Sequence, residues 1–142
     1  AFIGFTNNFS YKNFDMSFTF RGSFGNYAYN NVSSDRGNLS IALDAPGNYQ
    51  PNLHASYLDT GFRNQNLFSD YYIQRADFIR LDNLSLGYTF PFEKVKFRAS
   101  LTGSNLFVIT EYDGLDPEIN NGIDNNFYPR ARTYVLGLNL TF

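Results

Sequence analysis

His54 is the single histidine in a chain of 142 residues, and histidine is the side chain best suited to proton transfer near neutral pH. As a general base it would need a nucleophile oriented against it. No G-x-S-x-G, H-E-x-x-H or comparable run is present, so His54, set between Leu53 and Ala55 in an irregular stretch, reads as a solvated loop residue. A second group has the oxygen-rich character that calcium favours with its roughly 6–8 ligands: Asp113, Asp116, Glu118 and Asp124, together with Asn120, Asn121, Asn125 and Asn126. Their spacing does not follow the EF-hand order, and Asp, Asn and Gly are ordinary turn formers. No metal, no cofactor and no catalytic residue is therefore expected. A glycosidase carboxylate pair fares no better, since nothing in the sequence arranges two acids around a substrate. Aromatic rings offer a different chemistry. Tyr49, Tyr57, Tyr71, Tyr72 and Tyr112 could stack on sugar rings or on a partner; the plainer alternative is that they pack the loops on each other or on a rim.

The elements that must carry these residues are strands. Phe numbers 16, Tyr 11 and Trp 0; aromatics reach 19% while charged residues are 17%. Such a composition, punctuated by Gly and Asn, favours β structure. The net charge of -2 argues against a nucleic-acid binder, which usually carries a basic stripe. No apolar run approaches the ~18–20 residues of a membrane helix. The mean hydropathy of -0.34 is too polar for a helical membrane protein, but a strand greased on one face dilutes its own hydropathy. Residues 1–20 show no signal-peptide pattern, so Ala1 is not expected to be the natural start. Cysteine is absent, which removes disulfides and thiolate metal sites.

The last strand, expected over 132–142, shows the pattern best. Tyr134, Leu136, Leu138, Leu140 and Phe142 share one register; Thr133, Val135, Gly137, Asn139 and Thr141 share the other. A transmembrane β-strand needs ~9–11 residues of this kind. The same alternation runs through roughly 2–11, with Asn7 breaking the apolar register, through 14–28, cleanest from Phe14 to Phe24, and through 78–90 and 95–108. Lys12-Asn13 is expected to form a tight turn, with Asn tolerating a positive φ, and Pro91–Lys94 another. Between these strands lie two long loops, 30–77 and 109–131, with short local elements expected around Leu39–Leu43 and Asn66–Tyr72. Arg21, Lys96 and Arg98 fall on the polar register, which assigns that face to a lumen and the apolar face to lipid.

Connections that run short, long, short, long match outer-membrane barrels, which have short periplasmic turns and longer extracellular loops. The fold class expected is therefore all-β: an antiparallel transmembrane β-barrel segment of about five strands. Five strands cannot close, and a membrane-spanning sheet cannot keep an open edge, so further strands are expected from a larger barrel. The long loops would then be extracellular and the C-terminus periplasmic, in a bacterial outer membrane. The strand at 132–142 should pair with the one at 95–108 and leave its other edge for a strand outside this chain.

Several spaced runs carry a family likeness. Phe78-Ile-Arg-Leu-Asp-Asn-Leu-Ser-Leu-Gly-Tyr-Thr-Phe-Pro91, preceded by Ser69-Asp-Tyr-Tyr-Ile73, resembles the run near the end of SusC/RagA-type TonB-dependent transporters. Ser104–Glu118 and Asp124–Thr133, followed by Leu136–Phe142, resemble that family's later segments. The likeness covers 69–142 well, and 1–68 in style alone. It implies a plugged outer-membrane barrel importing glycans or peptides in Bacteroidetes-type bacteria, working with a SusD-like surface lipoprotein and with TonB, which would engage an N-terminal part absent here. It implies as partners the remaining strands and plug of the transporter, and outer-membrane lipid. For Phe142 it implies the aromatic end that the assembly machinery recognises. The alternative function is a non-transporting structural barrel subunit of an outer-membrane complex. A soluble β-barrel binding an apolar ligand suits an open five-stranded sheet poorly.

Overall fold

A computed structural model describes residues 1–45, 47, 51–92, 95–125 and 127–142. Five long strands form one antiparallel sheet: β1 (Phe2–Tyr11), β2 (Phe14–Ser23), β5 (Phe78–Pro91), β6 (Lys96–Thr110) and β8 (Thr133–Thr141), in the order β1-β2-β5-β6-β8. The sheet is open, with β1 and β8 at its edges. As the alternation predicts, β8 lies against β6, from Lys96↔Thr141 to Ser104↔Thr133.

Both faces follow from the period of two. On the apolar register Tyr134, Leu136, Leu138 and Leu140 are between 53% and 69% exposed. An aromatic row crosses the strands on this face: Phe5 to Phe18 at 6.0 Å between ring centroids, Phe18 to Phe20 at 5.7 Å, and Phe20 to Phe107 at 6.2 Å. Tyr88, Phe90 and Phe97 gather towards the short-turn end, at 4.8 and 5.2 Å, the level where membrane barrels place aromatic girdles. The opposite register carries hydroxyls that bond across strands, as in Thr6 to Thr19 and Ser85 to Thr102, both at 3.1 Å. Among the described residues, no helix is long and apolar enough to cross a membrane.

The register is not uniform. Phe18 faces Leu84, yet Phe20 faces Leu81, so the apolar set on β5 changes parity, from Ile79 and Leu81 to Leu84, Leu86, Tyr88 and Phe90. The extra residue Asp82 absorbs the change. A second irregularity on β6, between Ser104 and Phe107, keeps Phe107 and Ile109 on the same face as Leu101. Asn105 takes a positive φ of 53° there. Such bulges add one residue to a strand and re-aim the side chains beyond it.

Two of the expected boundaries move. The strand expected over 14–28 ends at Ser23, because Gly25 turns the chain with φ 78°. Tyr27–Asn30 is instead a separate strand, β3. At the tight turn it is Lys12, and not Asn13, that adopts the positive φ, of 53°. The carbonyl of Asn13 accepts from Thr89 N–H at 2.8 Å, which ties the turn to β5. Glu93 and Lys94, in the turn expected at Pro91–Lys94, lie outside the described residues.

The stretches expected as irregular loops have structure of their own. Residues Gly25–Ala76 and Glu111–Pro129 make one compact unit, and the rest, holding the five long strands, makes another. In the first, here called the insert unit, β3 pairs antiparallel with β4 (Ile73–Arg75) and parallel with β7 (Ile123–Asp124). Among the described residues, three short helices accompany this sheet: α1 (Asn31–Arg36), α2 (Ser40–Leu43) and α3 (Tyr57–Thr60), with a 3₁₀ turn at Asp70–Tyr72. The short elements expected near Leu39–Leu43 and Asn66–Tyr72 correspond to α2 and this turn. Ala28, Ala76 and Tyr112 form the buried centre, with Ile119 packed on it.

Candidate functional site

The sheet places its charges on the polar face in pairs. Arg98 of β6 reaches Asp15 of β2 with Nη2 donating to Oδ2 at 2.8 Å, although β5 runs between them. Gly87, opposite Asp15 in the register, makes this crossing feasible: a Cβ there would stand 2.4 Å from Arg98 Nη2 and 2.6 Å from Asp15 Oδ2. Arg21 donates from Nε to Asp82 Oδ2 at 2.8 Å and from Nη2 to Oδ1 at 3.3 Å. Asp82 is the extra residue at the parity change, so the same irregularity supplies the acid that Arg21 requires. Arg80, 2% exposed, lies over the Phe78 ring at 5.5 Å and donates from Nη1 to Asn105 Oδ1 at 2.6 Å. Asn105 Nδ2 in turn donates to the Arg130 carbonyl at 2.7 Å, fixing the chain just before β8. This face is a polar lining of paired charges on a pleated wall. Sequence reading put Arg21 and Arg98 on it without their partners and missed Arg80 and Asn105. The signals available were the Asp82-Asn83 step, where alternation slips by one, and a glycine standing on the polar register at 87.

The insert unit holds the tyrosines. Tyr71 and Tyr72 pack edge to face at 5.2 Å; Phe62 meets Tyr71 at 5.6 Å and Tyr29 meets Tyr72 at 6.0 Å. Tyr72 is 2% exposed whereas Tyr71 is 56% exposed, so within this cluster Tyr71 is the ring that presents a face. Burial raises the Tyr72 phenol above its ordinary pKa. Tyr57 is partly exposed at the start of α3. Tyr49 lies outside the described residues. Three residues before Tyr71 in the chain, Phe68 is 91% exposed and adopts φ 55°, a conformation that bulky residues seldom take.

Tyr112 is buried, and its hydroxyl donates to Asp124 Oδ2 at 2.8 Å. Burial first, then the bond to a carboxylate, drives its pKa well above the usual phenol range. Gly114 is required here, since a Cβ would meet the Tyr112 ring at 2.2 Å and Asp124 Oδ2 at 2.7 Å. Asp124 lies beside Asn30 in the parallel register of β3 and β7. These two, with Val32, His54, Asp113, Gly114 and Leu115, enclose a cavity of about 230 Å³.

The remaining candidates have local roles. His54 Nδ1 accepts from the Ser56 N–H at 3.2 Å and lies 2.9 Å from Ser56 Oγ. A histidine folded on its own following turn braces the loop and is not poised as a base. In the oxygen-rich segment, Asp116 Oδ1 accepts from Glu118 N and Asn121 Oδ1 from Ile123 N: these side chains close turns. Asn126 lies outside the described residues. Among the described residues, no three His, Asp or Glu side chains are grouped to hold a metal. Phe142 is 93% exposed and follows Thr141, the register partner of Lys96, at the end of the sheet that holds the short turns.

Comparison with known proteins agrees with this architecture. The chain is 41% identical to the TonB-dependent receptor SusC of Bacteroides thetaiotaomicron over 148 aligned residues, covering 99% of the chain and 15% of that receptor. It is 34% identical to a TonB-dependent receptor of Formosa agariphila, covering 98% of the chain and 16% of the relative. Among solved structures, the RagAB peptide transporter superposes with a TM-score of 0.78 at 27% identity, over 98% of the chain and 17% of the transporter chain. The RagAB peptide importer in its open-open state gives 0.72 at 26% identity. No protein-family profile matches the chain. The chain thus spans about one-sixth of the length of the proteins it matches.

Proposed function

Because the chain belongs to the SusC/RagA-type TonB-dependent receptors, we propose that it supplies the last strands of an outer-membrane barrel that imports glycans or peptides. The observation that carries this reading is the two-faced sheet. Its apolar register is exposed on β1 and β8 and partly exposed on β2, while its polar register is laced by Arg98–Asp15 and Arg21–Asp82. Bilayer hydrocarbon covers the first face without cost, and a hydrated lumen accepts the second. The barrel's other strands would satisfy the free edges of β1 and β8, since an open sheet edge is not tolerated in lipid.

The chain leaves the sheet at Ser23 and re-enters at Phe78, its register partner, then leaves again at Thr110, the partner of Phe78. The ends of β2 and β6 at Ser23 and Thr110 and the start of β5 at Phe78 therefore share one end of the sheet. We assign that end to the cell exterior and the end bearing Phe142 to the periplasm, in keeping with short periplasmic turns. On this reading the insert unit contributes to the lip where substrate and a SusD-like surface lipoprotein meet. Tyr71, with Tyr57 and Tyr49, would offer rings to either, while Tyr72 and Tyr112 support them from inside. Phe142 would serve as the assembly signal, and TonB would act through a plug outside this chain.

The experiment is epitope insertion in the full-length protein, expressed in its bacterium. A tag after Gly61, whose surroundings are open, should bind antibody on intact cells. A tag between Lys12 and Asn13 should bind only after the outer membrane is permeabilised, and deletion of the gene should abolish growth on the imported nutrient. The reverse labelling pattern would refute the orientation, and unchanged growth on every glycan and peptide source would refute import.

A further inference from the structure

Asn121-Gly122 is the only Asn-Gly step in the sequence. The side-chain amide of an asparagine is open to attack by the backbone nitrogen of the next residue. A glycine in that place leaves the nitrogen uncovered, because it has no Cβ. Asn121 is exposed. Gly122 adopts φ 74°, and a Cβ there would meet nothing within 4 Å, so no neighbouring group shields the backbone at this point.

The local hydrogen bonding favours the attack. Asn121 Oδ1 accepts from the Ile123 N–H at 3.2 Å. This side-chain turn closes a ring that contains the Gly122 nitrogen. It also puts a donor on the oxygen that gains negative charge when Cγ is attacked, as donors do for oxyanions in acyl transfer.

The same residues fasten the insert unit. The Gly122 carbonyl accepts from the Tyr29 N–H at 2.8 Å, and β7 starts at the next residue. Its two register pairs, Tyr29↔Ile123 and Asn30↔Asp124, follow directly, and Asp124 holds the Tyr112 hydroxyl. A change in backbone length at residue 121 falls at the entry to all of these contacts.

We propose that Asn121-Gly122 is a site of spontaneous deamidation and isoaspartate formation, and that the conversion loosens β7 from β3. The Gly122 nitrogen bonds to Asn121 Cγ and gives up its proton. The Cγ–Nδ2 bond breaks, and ammonia leaves carrying that proton. Water then adds to one carbonyl of the five-membered imide and opens it. One product is aspartate; the other is isoaspartate, whose main chain runs through Cβ and Cγ and is longer by one atom. Either product adds a negative charge. The proposal goes beyond the import reading and rests on the insert unit's own geometry.

The test ages the full-length protein in detergent in mildly alkaline buffer and maps its peptides by mass spectrometry. Only protein that keeps the fast gel migration of the folded barrel is mapped. Asn64 and Asn120, both exposed and neither followed by glycine, serve as internal comparators. Asn121 should be lost well ahead of both, with isoaspartate among the products. Converted molecules, separated by their added charge, should exchange amide hydrogen over Tyr27–Asn30 about tenfold faster than fresh protein, as for the loss of one backbone hydrogen bond. Asn121→Ser keeps an oxygen for the Ile123 N–H but has no amide to lose, and ageing should leave its exchange unchanged. An Asn121 that stays intact while Asn64 or Asn120 converts, or that does not convert at all, would overturn the site. Conversion without faster exchange over Tyr27–Asn30 would overturn the effect on β7, as would equal quickening in aged Asn121→Ser.

Discussion

Arg98 and Asp15 meet across an intervening strand, Nη2 to Oδ2 at 2.8 Å, directly over the backbone of Gly87. Three strands are thereby tied on one face by a single ion pair, and the position between its partners must carry no side chain. Gly87→Leu should part the pair and lower the temperature at which the folded barrel's fast gel migration is lost. Gly137→Ala, on β8, would bring its Cβ no closer than 2.6 Å to one rotatable hydroxyl, Ser100 Oγ, and should have less effect. Equal shifts for both would remove the special role of Gly87. Since the pair is partly exposed, high salt should shrink the difference.

Asn105 does two things at the β6 bulge: it accepts from buried Arg80 and holds a left-handed φ of 53°. Asn105→Gly keeps the conformation and loses the bond, at about 1.5–3 kcal/mol for a charged donor. Asn105→Ala loses both, adding roughly 1–2 kcal/mol. Urea midpoints should therefore fall in the order wild type, Gly, Ala, and a Gly variant less stable than Ala would contradict these roles.

The two faces of β8 predict opposite tolerances. Leu138→Arg puts a guanidinium on the apolar register at about 2–4 kcal/mol near a bilayer midplane, whereas Asn139→Arg puts it on the polar one at little cost. Outer-membrane assembly yield should drop sharply for the first and hold for the second; equal yields would undo the assignment of lipid and lumen.

Tyr112 and Asp124 give the insert unit a pH response. The folded pKa of Tyr112 is raised, so its stabilising contribution is complete below the unfolded phenol value of ~10 and is lost as pH rises beyond it. Hydrogen exchange over residues 111–124 should quicken above pH ~10 in the wild type and keep a flatter course in Tyr112→Phe. That variant should itself cost about 1–3 kcal/mol at neutral pH, because the Asp124 carboxylate loses a buried donor.

Phe68 keeps an unfavourable backbone conformation with its ring 91% exposed. Phe68→Gly should relieve roughly 1–2 kcal/mol of left-handed strain, partly offset by the entropy of glycine, leaving a gain of up to ~1 kcal/mol. A stabilised variant that also captures the proposed SusD-like lipoprotein more weakly would mark Phe68 as a residue kept for contact, to be compared with Tyr71→Ala in the same pull-down.

The wall of strands was determined by the sequence alone. Alternation of period two is local: each apolar residue between Phe14 and Phe24, or between Tyr134 and Phe142, reports its own face without reference to any partner. Strand positions, antiparallel order and the pairing of β8 with β6 could therefore be read directly, and the family runs over 69–142 agreed with them. Tertiary structure decided the features that depend on residues far apart in the chain. Tyr27–Asn30 reads as a continuation of β2 until Gly25 turns it towards Ile73–Arg75 and Ile123–Asp124, partners roughly 45 and 95 residues away. Loops that look irregular become a unit because these short pairings supply, across long separations, the hydrogen bonds that no local period announces. The partners of Arg98, Arg21 and Arg80 likewise come from other strands, and those of Arg21 and Arg80, Asp82 and Asn105, stand at the bulges. Which tyrosine is buried and which is exposed, and that Asn30 and Asp124 share one recess, are set by that packing alone.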